Sequence, residues 1–192
     1  MRRSGSSAET GYHSPVGRIG KTSLMEILCK HTFDAPIEAC WDMFHDPASH
    51  EAKFIAMGHR DLEVISCDET ETSLRIVIDR LVDVEVPGFA KRIIKPTNTL
   101  RSTDEWRSNG DGTYSGNFEL VTKGVPIQIT GSTALAQAPG KKSATHTLYE
   151  VRIELSVNVP LIGGKIANFS KGIVTDQLEM EFKLGDDWLA SH

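Results

Sequence analysis

Between Met25 and Phe44 the sequence changes its period. Met25, Ile27, Cys29, His31 and Phe33 alternate with Glu26, Leu28, Lys30 and Thr32, the pattern of a strand with one buried face. Immediately afterwards Ile37, Cys40, Trp41 and Phe44 recur at helical spacing, which makes an apolar stripe on a short helix. Asp34 is positioned to cap that helix, Pro36 suits its first turn because it has no amide hydrogen to lose, and Glu38 suits its positive end. A half-buried strand that turns directly into a short helix constrains the fold strongly and says little about chemistry.

Downstream the alternation returns and persists. Leu62 and Val64 mark one strand, and Leu74, Ile76 and Ile78 the next, with the turn at Asp68 to Thr72 making them a hairpin. Leu100, Ser102, Asp104, Trp106 and Ser108 share a face of another strand. Asn109-Gly110-Asp111-Gly112 then joins it to Tyr114, Gly116, Phe118 and Leu120, a strong tight-turn signal and a second hairpin. Val125, Ile127 and Ile129 precede a turn at Pro139 to Lys142, and from Thr147 to Val157 the alternation is clearest. After Pro160 the period becomes helical for about 25 residues. Ile162, Ile166, Phe169, Ile173, Leu178, Met180, Phe182, Leu184 and Trp188 fall on the apolar side. Lys165, Lys171, Asp176, Glu179, Glu181 and Lys183 fall on the wet one. The class is α+β: a curved antiparallel sheet of about seven strands around one long C-terminal helix, with two short helices after the first strand.

Composition and charge narrow the function classes. At 192 residues with 39% hydrophobic side chains, one domain is expected, able to bury about two thirds of its unfolded surface. Residues 1–24 are rich in Gly, Ser and Thr and show no periodicity, as a disordered tail would. The remainder, 17 basic against 25 acidic residues, carries a formal charge of −8 and repels nucleic acid. No apolar run approaches the ~20 residues of a membrane span and no secretion signal opens the chain, so a cytoplasmic location is expected. Cys29, Cys40 and Cys67 are odd in number and form no C-x-x-C pair, which predicts buried, reduced thiols. Gly17 to Thr22 has the look of the end of a phosphate-binding loop, but Pro15 stands where its first glycine belongs and a strand, not a helix, follows.

The order of elements, the Phe33-Asp34-Ala35-Pro36 to Trp41 segment and the Pro160-Leu161-Ile162-Gly163-Gly164-Lys165 lead into the last helix resemble the START-like, helix-grip (SRPBCC) superfamily. The resemblance covers about residues 25–189. Val86-Pro87-Gly88-Phe89 and the Pro160 to Lys165 segment are most similar to an uncharacterised bacterial domain family within it. These motifs carry no catalytic residue onto this chain. The resemblance implies a cavity between sheet and long helix that holds an apolar molecule such as a lipid, sterol or polyketide-like compound, with no cofactor.

On that expectation, polar residues at inward positions are candidates for ligand contact, because burying them unpaired is costly. Arg80 ends the face of Leu74, Ile76 and Ile78; Asp104 interrupts that of Leu100 and Trp106; His31 shares a face with Ile27 and Phe33. Trp106, Tyr149, Phe118, Phe169 and Ile173 complete the expected set. Small inward residues, Gly116, Gly131 and Thr133, favour a hollow, while the aromatic rings favour a filled core. An Arg80–Asp104 salt bridge would need no ligand at all.

Val86, Phe89, Ile93 and Ile94 lie among Lys91, Arg92 and Lys95. This stretch is a lid over the pocket mouth (Phe89, Ile93), or a surface that touches an anionic membrane during lipid pickup, or a loop or short helix whose apolar residues join the core. His45, Asp46, His50, Glu51 and His59 cluster, but Phe54 stands where a zinc-peptidase motif needs His, so exposed helix and loop residues are expected and no metal site. Neither a G-x-S-x-G elbow nor a Cys with a nearby base is present, which leaves no catalytic assignment. The expected function is a non-catalytic binding or carrier protein for an apolar small molecule. The alternatives are a cyclase or aromatase-like enzyme, marked by ionisable groups converging with shifted pKa values, and a partner-regulating module with a large apolar patch.

Overall fold

The computed structural model describes residues 23–140 and 144–192. Residues 1–22 of the expected tail, and Lys141 and Lys142 of the expected turn, lie outside the described residues. Ser23 and Leu24 already belong to the first strand.

The chain runs β1 (Ser23–Phe33), α1 (Ile37–His45), α2 (Pro47–Ala56), β2 (Arg60–Thr70), β3 (Ser73–Asp83), β4 (Thr97–Ser108), β5 (Tyr114–Thr122), β6 (Ile127–Gln137), β7 (Thr147–Val157) and α3 (Gly163–Ser191). One seven-stranded sheet has the order β1-β7-β6-β5-β4-β3-β2, and every pair in it is antiparallel. All pairings but β1 with β7 join strands adjacent in sequence, by short turns between β2 and β3 and between β4 and β5, and by the longer segment 84–96 between β3 and β4. Gly110 and Gly112 of the β4–β5 turn both sit at φ near 80°, a backbone region that side chains strain.

Strand faces follow the alternation. Ile27 and Phe33 of β1 are buried, whereas Leu24 and Leu28 on the opposite face are 62% and 52% exposed. Leu74, Ile76 and Ile78 pair with Trp106, Asp104 and Ser102 in register, so all six side chains point to the same inner face.

The start of α1 differs from expectation. Pro36, not Asp34, is its N-cap, with extended backbone and no side-chain cap; its carbonyl accepts the Cys40 N–H at 3.2 Å. Proline disfavours a helical residue before it, so the helix begins beyond the reach of Asp34, which pairs with His146 at 3.2 Å instead. The cap that forms belongs to α2, where Asp46 accepts the Ala48 N–H at 2.9 Å and Pro47 follows.

α3 has 29 residues, about 44 Å at 1.5 Å per residue, and packs chiefly on β1 and β7. Leu178 is buried, so Glu181 and Phe182, three and four residues on, turn toward the sheet. Met180, two residues on, points away and is 43% exposed; the sequence pattern had assigned Met180 and Glu181 the opposite way. Cys67 is also exposed rather than buried, because β2 is the sheet edge farthest from β1, where α3 gives little cover.

Two packed regions result. The larger joins α1 and α2 to the sheet through Phe33, Trp41, Ile76, Trp106, Leu135 and Tyr149. The smaller joins Leu155, Val157, Ile166 and Ala167 to Ala90 and Ile94. Ile93 and Val86 pack against this second region, as the core alternative for that segment expects, while Phe89 stays 45% exposed. Among the described residues no helix is long and apolar enough to cross a membrane.

Candidate functional site

Curvature separates the middle of the sheet from α2 and α3 and leaves a pocket of 380 Å³. Its walls are largely apolar, with Phe54, Leu100, Phe118, Ile129, Val151 and Ile173 among them. A second pocket of 250 Å³ lies toward the end of α3 and shares Phe44, His50, Lys53, Tyr149 and Glu181 with the first.

Gly116 and Gly131 do not supply this space. A Cβ on Gly116 would meet the Glu105 carbonyl and Thr133 Oγ1 at 2.6 Å and the Trp106 ring at 3.0 Å, and one on Gly131 would strike the Phe118 ring. Large rings lie over both glycines, so the small residues seat the aromatic ones instead of opening a hollow. Trp106 stacks on Phe44 at 4.5 Å between ring centroids, and Tyr149 lies 4.9 Å from Phe44. This end is filled core.

One wall of the pocket is polar. Arg80 is 4% exposed. Its Nε donates to His59 Nδ1 at 3.2 Å and its Nη1 to Ser102 Oγ at 2.8 Å. Its guanidinium lies over the Phe54 ring, 3.6 Å from the centroid, a cation–π contact in a dry setting. Burial lowers its pKa, against the opposing charges of Asp104 and Glu181, yet a guanidinium stays charged. Burial, and then the Arg80 charge, push His59 down to about 4. Because Nδ1 accepts from Arg80, the ring proton sits on Nε2.

His50 of α2 is 2% exposed. Burial, then the Lys53 charge, lower its pKa. Its Nε2 donates to the Phe44 carbonyl at 2.9 Å, so Nδ1 holds the free lone pair. Lys53 Nζ stands 3.1 Å from Glu181 Oε2, tying α2 to α3. Burial raises the Tyr149 phenol well above its usual range. Asp104 makes no ion pair with Arg80, two of whose N–H groups go to His59 and Ser102. The buried side-chain polar atoms that lack a hydrogen-bond partner among the described residues are His50 Nδ1, His59 Nε2, Asp104 Oδ2 and Thr133 Oγ1. All four residues line the pocket.

The structure thus brings Arg80, Asp104, Trp106, Tyr149, Phe118 and Ile173 to one pocket. His31 lies elsewhere: its Nε2 is 3.0 Å from Asp186 Oδ1 and its ring stacks on Phe182 at 4.9 Å. Phe169 borders a shallow surface groove with Phe89, Val86 and Lys165, and Ile93 lines neither pocket. His50 and His59, expected on exposed helix and loop surface, are interior or half-buried members of the polar wall. For His50 the signal was its helical spacing with Phe54 and Met57; no such periodicity reaches His59, in the connection to β2. Among the described residues no cluster of ligating side chains suits a metal ion.

A single antiparallel sheet gripping a long C-terminal helix, with two short helices after the first strand and a pocket between the layers, defines the helix-grip (START-like) class. The chain belongs to the family described as "Protein of unknown function (DUF2505)", whose profile matches residues 29–189. No curated protein matches it. Among solved structures it is similar to the Zhui aromatase/cyclase from Streptomyces sp. R1128, with TM-score 0.61 and 11% identity over 88% of this chain and 94% of that one. It is also similar to norcoclaurine synthase from Thalictrum flavum in complex with dopamine and hydroxybenzaldehyde, with TM-score 0.57 and 12% identity over 96% and 98%. For Ara h 8.0201 the TM-score is 0.58 and the identity 10% over 88% and 100%. At such identities the likeness is one of fold.

Proposed function

We propose that the chain is a non-catalytic binding or carrier protein for an apolar small molecule held between the sheet and α3. The observation that carries this reading is the 380 Å³ pocket, apolar on most sides and polar on one, the usual character of a small-molecule site. Arg80, Asp104, Trp106, Tyr149, Phe118 and Ile173 are the proposed contacts. The ionisable groups do converge, as an enzyme would require, but the shifts run the wrong way for proton transfer at neutral pH. A general base works best with a pKa near the operating pH; His59 is pushed to about 4 and its Nδ1 is occupied by Arg80. Held neutral, the histidines serve as hydrogen-bonding groups.

A second reading, a cyclase-like enzyme, is favoured by Asp104 and His50, two ionisable residues that line the same pocket. Native mass spectrometry of the purified protein, followed by extraction of what is bound, separates the readings. A stoichiometric apolar molecule recovered unchanged supports the carrier; a recovered product of a supplied precursor supports the enzyme. Protein without ligand that also fails to take up an uncharged fluorescent hydrophobe refutes both.

Contact with an anionic membrane during ligand uptake belongs to the same proposal. Phe89 is 45% exposed and Lys91, Arg92, Lys95 and Lys165 around it are exposed, an apolar tip in a basic collar. Phe89→Ser is expected to abolish cosedimentation with phosphatidylserine vesicles without lowering thermal stability. Unchanged cosedimentation would sink the membrane contact.

A further inference from the structure

Resting on the small-molecule reading above, we propose that the ligand is an uncharged apolar molecule whose hydroxyl group donates a hydrogen bond to the Asp104 carboxylate. Asp104 occupies an inner position of β4 between Ser102 and Trp106, both buried. Among the described residues it makes no hydrogen bond, and its Oδ2 is sealed behind neighbouring side chains. Oδ1 is therefore the oxygen left to the pocket. An unpaired carboxylate in an apolar wall is costly, and here the two cations of that wall are engaged elsewhere. Arg80 directs one N–H to His59, another to Ser102 and its face to the Phe54 ring, and Lys53 pairs with Glu181. What Asp104 lacks is a donor.

Charge selects the kind of donor. Lys53 and Arg80 offset Asp104 and Glu181, and His59, at about 4, is neutral, so the inner wall requires no net charge from a ligand. The rim adds Asp83, Glu85 and Asp176, of which Asp83 is held by Arg60 at 2.7 Å. This repels a fatty-acid carboxylate. A hydroxyl also accepts a hydrogen bond, and His59, which lines the same pocket, has no hydrogen-bond partner for its Nε2–H among the described residues. The 380 Å³ volume equals that of about a dozen waters at roughly 30 Å³ each, room for a bicyclic skeleton and not for a two-chain phospholipid.

The test is calorimetric titration of the full chain with three probes on one skeleton: 2-naphthol, its methyl ether and 2-naphthoate. A hydrogen bond to a charged acceptor implies that the naphthol binds about tenfold or more tighter than the ether, with no detectable naphthoate binding. In Asp104→Leu the two neutral probes should bind within about twofold of each other; the variant removes a charge that offsets Arg80 but no hydrogen bond, so any fall in melting temperature should be smaller than that of Arg80→Leu. Should that variant fail to fold, Asp104→Asn keeps the shape and an accepting oxygen, and is expected to narrow the naphthol advantage. Equal binding of naphthol and ether by the wild type overturns hydroxyl recognition and leaves the pocket reading standing. Preferred binding of naphthoate also overturns it, in favour of an anion site at Arg80. No binding of any probe overturns both.

Discussion

Gly116→Ala probes how the inner face of the sheet is packed beside the pocket. The added Cβ would lie 2.6 Å from the Glu105 carbonyl oxygen, 2.6 Å from Thr133 Oγ1 and 3.0 Å from Trp106 Cδ2. Thr133 can rotate, but the carbonyl belongs to the paired strand β4 and moves only with the ladder. Overpacking of this kind costs about 1–3 kcal/mol. Replacing Gly by Ala returns about 0.4–1 kcal/mol by restricting the unfolded chain. The net loss is about 1–2 kcal/mol, which at roughly 2–4 °C per kcal/mol for a chain of this size is a fall of about 2–8 °C in melting temperature. Gly88→Ala is the control, since nothing lies within 4 Å of its added Cβ, and it should be neutral or slightly stabilising. Thermal unfolding followed by circular dichroism compares the two. If Gly116→Ala melts with the wild type or above it, Trp106 and Thr133 are not seated on the glycine and the packing account is wrong.

Stability should fall on acidification through the His59 range. Its folded pKa, about 4, lies below the ordinary value of 6.5, so the unfolded chain binds the extra proton first. The stabilisation is complete above about pH 6.5 and is lost as the pH falls toward 4; urea midpoints across this window should drop less steeply in His59→Gln. Arg80→Leu would leave His59 Nδ1 and Ser102 Oγ without their donor, at about 1–3 kcal/mol each, and should destabilise in the same urea assay by more than Asp104→Leu does. Cys67 is exposed whereas Cys40 is buried, with its thiol pushed up to about 11; a maleimide should label Cys67 in the native protein and Cys40 only after unfolding.

Which residues share a strand face, and the order of strands and helices, were legible in the sequence because side-chain direction in a strand is set by its local period of two. Leu74, Ile76, Ile78 and Arg80, and opposite them Leu100, Ser102, Asp104 and Trp106, were readable in this way as two inward rows, and in the structure they are paired neighbours. Pairing between groups on different elements is not a local property. Arg80 had Asp104 as its obvious partner by charge; the structure gives it His59 and Ser102 because sheet register and the placement of the α2–β2 connection put those atoms within reach. The weak periodicity of α2 concealed His50, and the breadth of the apolar face of α3 concealed Glu181. Local periodicity was enough to specify a long helix gripped by a one-sided sheet. That the space beneath the helix is lined by neutral histidines, a hydrogen-bonded arginine and a carboxylate without a donor depended on curvature and helix placement, which set those distances.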